Sequence, residues 1–192
     1  FRAMSTDVTV LSPGLDRAAA GAIAAGVRAD FAESERRFSR FRADSELSRL
    51  NRAGGPAVVS GALFAALQRA RGYFELTDGL FDPTVGAAIE ALGYDRSFAP
   101  GALDRAAIAT ASPRARFAAV ALDDASRTVT LPPGVRLDLG GFIKGFTIDR
   151  AARRLPGVGA VDAGGDAVLR GAGPEGLSGM RPVQPWPHLP PE

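Results

Sequence analysis

Two periods alternate in the apolar and polar positions of the chain, which indicates a mixture of strands and helices. Residues 6–11 (TDVTVL) alternate polar and β-branched apolar side chains and predict a half-buried strand. Between residue 15 and about residue 42 the apolar positions recur at multiples of three or four, which predicts a long amphipathic helix. The buried stripe of this helix would consist of Val27, Phe31, Phe38 and Phe41.

The same patterns predict the remaining elements. Asp44 or Ser45, and further along Ser60, are suitable N-caps for helices. Helices are predicted at residues 46–51, 61–75, 83–92, 102–109 and 140–155, and strands at residues 58–59, 117–122, 128–131, 135–139, 157–161 and 167–170. Because these elements do not follow a regular β–α–β order, we expect an α+β fold, with a mixed sheet and flanking helices.

The periodicity fades after Gly171. Residues 182–191 contain five of the 14 prolines of the chain and show neither helical nor strand spacing. The sequence therefore predicts one domain over residues 1–171 and a divergent, proline-rich tail over residues 172–192.

Composition excludes several classes of function. The 192 residues contain 23 basic and 21 acidic side chains, interleaved without a basic block, which argues against a nucleic-acid partner. Cysteine is absent and His188 is the one histidine, so a disulfide, a cysteine nucleophile, a thiolate zinc site and a Ser–His–Asp triad are not expected. Since no apolar run approaches about 18 residues, no transmembrane helix is predicted.

The strongest local signal is residues 137–145 (LDLGGFIKG). A strand is predicted to end at Asp138, two glycines follow, and a helix begins there, whose free N–H groups favour an anion. Lys144 is the one lysine of the chain, and its compact ammonium suits a phosphate in a confined place. The alternative is a strand–turn–helix corner with a solvated lysine.

Three further segments have a structural and a functional interpretation. In residues 77–86 (TDGLFDPTVG), Asp82 could cap a helix, or the three residues before it could lie against a flat ligand. Residues 161–166 (VDAGGD) could form a tight turn or a contact to metal or ribose. In residues 39–51 (SRFRADSELSRLN), Phe41 could belong to the core or could serve as a ligand platform.

Taken together and in this order, these segments resemble the ApbE family, the FAD:protein FMN transferases. Ser5 stands where the family's opening motif has glycine, and Phe41 stands where many relatives have tyrosine. The resemblance extends from residue 1 to about residue 171 and is carried by residues 1–6 (FRAMST), 45–51 (SELSRLN), 79–86 (GLFDPTVG), 93–95 (GYD), 138–145 (DLGGFIKG) and 162–166 (DAGGD).

The resemblance implies an α+β flavin-binding fold and magnesium-dependent cleavage of the FAD pyrophosphate. FMN would pass to a Ser or Thr hydroxyl of a target protein, and AMP would leave; some relatives instead hydrolyse FAD. Carried over by position, the magnesium contact is the backbone carbonyl of Gly141. The FAD contacts are Met4, Phe41, Gly79, Leu80, Phe81, Asp138 and Lys144.

The family continues with a segment similar to His-x-x-Asp-Pro-x-Thr-Gly and with an Asp and Thr pair that supplies the main side-chain magnesium ligands. Neither occurs in this sequence. We therefore expect a chain truncated at the C-terminus, with weak or no activity; the alternatives are a non-catalytic flavin-binding remnant and an FAD pyrophosphatase. The segment indicates a cytoplasmic protein, or an exported one if a signal precedes Phe1.

Overall fold

The computed structural model describes residues 1–91 and 116–171, with the side chain of residue 91 left out. The expected helix at residues 102–109 and the expected tail at residues 172–192 lie outside the described residues. The helices are α1 (Arg17–Phe38), α2 (Glu46–Arg52), α3 (Gly61–Leu76), α4 (Gly86–Ala91) and α5 (Gly140–Ala152), with a 3-10 helix at Phe117–Ala119. The strands are β1 (Arg2–Ala3), β2 (Thr6–Leu11), β3 (Ala57–Val58), β4 (Ala121–Asp123), β5 (Thr128–Thr130), β6 (Gly159–Ala163) and β7 (Asp166–Arg170).

One sheet has the strand order β1-β2-β6-β7, and α1 and α5 pack on it. Val8 of β2 lies opposite Ala163 of β6, so the apolar alternation of β2 faces the core. Phe31 of α1 and Ile148 of α5 are buried in the same core. The carboxylate of Asp30 in α1 accepts hydrogen bonds from the Arg154 guanidinium, just beyond the end of α5, and so links the two helices. These hydrogen bonds raise the pKa of Arg154.

A smaller sheet has the order β3-β5-β4 and adjoins a second apolar core. Ser45 accepts a hydrogen bond from the Ser48 N–H at the start of α2, and Ser60 accepts one from the Leu63 N–H at the start of α3. Both caps match the sequence prediction. Leu47 of α2 and buried side chains of α3 then pack together in this core.

The α+β class is confirmed, but the pairing of the strands differs from the expected mixed sheet. In the described residues, every pair of strands is antiparallel, and the parallel contact is an isolated bridge between Val85 and Arg136. In the same part of the chain, no helix is long and apolar enough to span a bilayer.

Several predictions for individual elements are wrong. The strand expected at residues 157–161 lies at Gly159–Ala163, and the helix expected to reach residue 155 ends at Ala152. Helix α1 ends at Phe38 because Ser39 is extended and its hydroxyl accepts a hydrogen bond from the Phe41 N–H. Phe41 therefore leaves the buried stripe and is 49% exposed. Residues 117–122 begin as a 3-10 helix before β4, and α4 begins only at Gly86. Residues 135–139 are not a strand, and the reason lies in the site described next.

Candidate active site

The loop of residues 135–139 is held by the side chain of Asn51 and by an isolated parallel bridge between Val85 and Arg136. The Asn51 amide donates to the Leu137 carbonyl oxygen at 2.9 Å and accepts from the Leu137 N–H at 2.8 Å. The N–H of Asp138 donates to the carbonyl oxygen of Pro83 at 2.8 Å. One amide side chain thus satisfies both backbone groups of a fully buried residue, which is what a paired strand would otherwise do.

Asp138 stands at the N-terminus of α5, where two groups fix its carboxylate. Its Oδ1 accepts a hydrogen bond from the Gly140 N–H at 2.6 Å, which satisfies one of the free amides of the first turn. Its Oδ2 lies 2.6 Å from Nε of Arg40, and the two side chains are 12% and 9% exposed. The aspartate is therefore held in one orientation by the helix end and by an arginine that the sequence analysis did not assign.

A cavity of about 480 Å³ opens beside this helix end. Its walls come from the turn between β1 and β2, from the end of α1 with the residues after it, and from the first turn of α5. Four of the sequence-predicted flavin contacts line it: Met4, Phe41, Asp138 and Lys144. The volume lies in the range of small-molecule sites, which is about 300–1,000 Å³.

Met4 reaches the cavity from a turn with unusual backbone angles. Met4 and Ser5 have φ values of 48° and 63°, in the left-handed region that favours glycine. The carboxylate of Glu35, another lining residue, accepts a hydrogen bond from the Met4 N–H at 2.8 Å. Glu35 therefore holds this turn against α1.

Lys144 is held by the segment between β6 and β7. Its Nζ donates to the Ala163 carbonyl oxygen at 3.0 Å and lies 3.0 Å from Oδ2 of Asp166. The residues between these two partners are Gly164 and Gly165, whose φ values of 62° and 94° form the tight turn between β6 and β7. The turn interpretation of residues 161–166 is thus correct, and the turn also positions the lysine.

Of the other predicted contacts, Gly141 lines a second hollow of about 290 Å³. Gly79, Leu80 and Phe81 line neither cavity. A Cβ at Gly141 would stand 3.1 Å from the Phe81 ring, so this glycine permits the close approach of the ring. The Phe81 N–H donates to the Thr77 hydroxyl at 2.9 Å, Leu80 is 92% exposed, and the Gly79 carbonyl accepts from Arg116 at 2.7 Å. The structure thus brings Met4, Phe41, Asp138 and Lys144 to one cavity and Phe81 against Gly141, and it does not bring Gly79 and Leu80 to either cavity.

Asp82 does not cap α4 in the described structure. Its Oδ1 instead accepts hydrogen bonds from the N–H and the hydroxyl of Thr84, at 3.0 and 2.6 Å. The aspartate therefore shapes the turn that leads from Phe81 into α4.

Comparison with known proteins identifies the family of the chain. A sequence model of the ApbE family matches residues 4–187. The chain belongs to the ApbE family. The FAD:protein FMN transferase of Treponema pallidum is 36% identical to it over 133 residues, which are 64% of this chain and 36% of that protein. The FAD:protein FMN transferase of Rhodobacter capsulatus is 31% identical over 193 aligned positions, covering 97% of this chain and 35% of that protein.

Solved ApbE structures share the fold. The ApbE protein of Thermotoga maritima superimposes with a TM-score of 0.76 at 29% identity, over 88% of this chain and 57% of that one. The flavin transferase ApbE of Vibrio cholerae gives a TM-score of 0.78 at 22% identity, over 92% and 59% of the two chains. The chain therefore spans little more than a third of these two curated relatives and under two thirds of the solved structures.

The described part of this ApbE chain contains no cluster of metal-ligating side chains. No group of three or more His, Cys, Asp or Glu side chains in residues 1–91 and 116–171 could hold a metal ion. The carbonyl of Gly141 belongs to the first turn of α5, where it accepts the bond of the helix itself, so a metal contact would use its second lone pair. Mg²⁺ takes six oxygen ligands, several of which are usually waters or substrate phosphates, so the Gly141 carbonyl would supply one ligand of an incomplete set in the described residues.

Sequence reasoning missed three residues that support the site: Glu35, Arg40 and Asn51. All three lie near or within residues 39–51, which the sequence analysis singled out for its motif. Their roles depend on partners far along the chain; Asn51 and Leu137, for example, are 86 positions apart. Periodicity describes neighbours on one element and therefore carries no signal for such contacts.

Proposed function

We propose that this chain provides the flavin-binding part of an FAD:protein FMN transferase. The observation that carries the proposal is that Met4, Phe41, Asp138 and Lys144, which are far apart in the sequence, line one cavity. These residue types suit the chemically different parts of a flavin dinucleotide. A flat, apolar ring is met by an aromatic face and a thioether, and polar groups are met by a fixed carboxylate and an ammonium.

Different parts of the cavity suit the two parts of FAD. Phe38 and Ile143 give the cavity an apolar wall against which the isoalloxazine ring would pack. Lys144 and the N-terminus of α5 provide positive potential for the pyrophosphate. The chain's own residues would bind and orient FAD, so that its phosphorus atoms lie near the helix end.

In the proposed reaction a Ser or Thr hydroxyl of a target protein attacks the phosphorus atom of the FMN half. The new O–P bond forms as the P–O bond to AMP breaks, AMP leaves with the bridging oxygen, and the hydroxyl proton is released. We include dependence on Mg²⁺ in the proposal because of the family resemblance. Since the described residues do not form the metal site, we assign the chain the binding and orientation of FAD.

Titration of the full 192-residue chain with FAD tests the first half of the proposal. We expect quenching of flavin fluorescence in the micromolar range and its loss on Lys144→Ala or Asp138→Ala. Arg36→Ala is the matched control, because this exposed arginine pairs with Glu33 away from the cavity. Absence of binding at high micromolar FAD would refute the proposal.

Incubation with FAD, Mg²⁺ and a threonine-containing target peptide tests the second half. Transfer yields AMP and a covalently labelled peptide. A second candidate, a flavin-binding protein without turnover, is favoured by the lack of a metal cluster in the described residues. That candidate predicts FAD binding without AMP, whereas a pyrophosphatase would release AMP and FMN and leave the peptide unlabelled.

A further inference from the structure

Arg40 occupies a central place in the cavity wall. Its Nε lies 2.6 Å from Oδ2 of Asp138, and its guanidinium carbon lies 4.1 Å from the centroid of the Phe41 ring. Its side chain is 9% exposed, although Phe41 beside it is 49% exposed. One buried cation thus touches both an aromatic ring and a carboxylate of the cavity.

These contacts fix two groups that would otherwise be free to turn. Phe41 follows the end of α1 in a loop, and a half-exposed ring there has few packing partners of its own. A guanidinium plane over the ring restrains it through a cation–π contact. Asp138 has the Gly140 N–H as its other partner, which holds one carboxylate oxygen and leaves the second to Arg40.

We infer that Arg40 is a positioning residue for the flavin: it sets the tilt of the Phe41 ring and the orientation of the Asp138 carboxylate. The inference rests on the proposed function. It does not require Arg40 to contact FAD. The guanidinium is needed for both tasks, because its edge pairs with the carboxylate while its face covers the ring.

The two tasks can be separated by substitution. Lysine at this position keeps a positive charge for Asp138 but has no planar group to cover Phe41. Methionine keeps most of the volume and removes the charge. A double substitution, Arg40→Met with Asp138→Asn, removes both charges together and avoids leaving a buried carboxylate without a partner.

The test measures FAD affinity by fluorescence quenching, and the visible absorbance change of the flavin at saturation, for single and double variants. We expect Arg40→Met to weaken binding about tenfold. In the Asp138→Asn or Phe41→Leu background the same change should have a clearly smaller effect, because its target is already altered. Arg40→Lys should restore much of the affinity but not the absorbance change that a stacked ring produces. Arg36→Met is the matched control, and thermal melting verifies folding.

The outcomes are distinct. Equal effects of Arg40→Met in all backgrounds would show a direct contact with FAD and overturn the inference. An Arg40→Met variant that binds FAD and perturbs its absorbance like the original chain would also overturn it. If Asp138→Asn alone abolishes binding, the effect of Arg40→Met in the Phe41→Leu background and the behaviour of Arg40→Lys decide the question. If the original chain binds no FAD, both the inference and the proposed function fail, whereas normal binding with a silent Arg40 removes the inference alone.

Discussion

The two hydrogen bonds between Asn51 and Leu137 allow a quantitative test of how the site is supported. Asn51→Ala removes a donor and an acceptor together and leaves the N–H and the carbonyl of a fully buried leucine without a partner. A hydrogen bond contributes about 1 kcal/mol net, and a buried polar group left unpaired costs about 1–3 kcal/mol. Two unpaired groups would cost about 2–6 kcal/mol together, and because local rearrangement relieves part of this cost, we expect a total loss of about 2–4 kcal/mol in the free energy of unfolding.

Urea unfolding followed by circular dichroism measures this loss. With a slope of about 2 kcal/mol per molar urea, the midpoint should fall by about 1–2 M while the slope stays constant. Gln68→Ala is the matched control, because this exposed amide donates to Asp124 at 2.6 Å and should change stability by less than about 0.5 kcal/mol. FAD affinity should also fall in Asn51→Ala, since Leu137 precedes Asp138 in the loop.

The substitution Asn51→Asp makes the test more specific. A carboxylate still accepts from the Leu137 N–H, but it places a second acceptor against the Leu137 carbonyl, so at neutral pH the loss should equal or exceed that of alanine. A protonated carboxyl group can donate to that carbonyl, so the deficit relative to asparagine should shrink as the pH falls. A loss below about 0.5 kcal/mol for alanine, or a pH-independent deficit for aspartate, would refute the reasoning.

Two further predictions concern the frame around the site. The Arg36 hydrogen bond lowers the pKa of Glu33 below its ordinary 4.5. The contribution of Glu33 to stability is therefore fully present above about pH 4.5 and is lost as the pH falls through the lower pKa of the folded state. Glu33→Gln should flatten the dependence of stability on pH in that acid range, and an unchanged dependence would contradict this reasoning. Thermal melting should show that Gly164→Ala destabilises the β6–β7 turn more than Gly165→Ala. Both residues have positive φ, which costs alanine about 1–2 kcal/mol. The new methyl group at position 164 also collides with the Thr6 side chain, whereas at position 165 it meets open space. Equal losses for the two variants would show that this collision is relieved at no cost.

The frame of the fold could be predicted because it depends on local patterns. Strand β2 alternates, α1 has a helical stripe, and the glycine pair between β6 and β7 has the positive φ values that a two-residue hairpin turn requires. In each case the residues that determine the structure are close together in the sequence. The loop at residues 135–139 shows the limit of this reasoning. Its alternation resembles that of a strand, but its partners are an isolated bridge to Val85 and the side chain of Asn51.

The candidate site could be predicted residue by residue but not as an arrangement. The resemblance identified Asp138 and Lys144, and the structure places them at one cavity, but nothing local indicates Arg40 as the partner of Asp138. The position of Phe41 illustrates the same limit. Its spacing fits the stripe of α1, and the turn at Ser39 instead directs it out of the core toward the cavity.

The two charged pairs at the helix end differ in how readily a ligand could use them. Arg40 and Asp138 are almost fully buried, and separating them would leave a charge in a poorly solvated place, which costs several kcal/mol. Lys144 and Asp166 are 30% and 59% exposed, and an ion pair so open to water contributes about 1 kcal/mol or less. An anionic ligand therefore gains Lys144 at little cost by displacing Asp166, whereas it meets Asp138 as a fixed acceptor. Under the proposed function, the lysine would therefore respond to the ligand, and the aspartate with its arginine would align it.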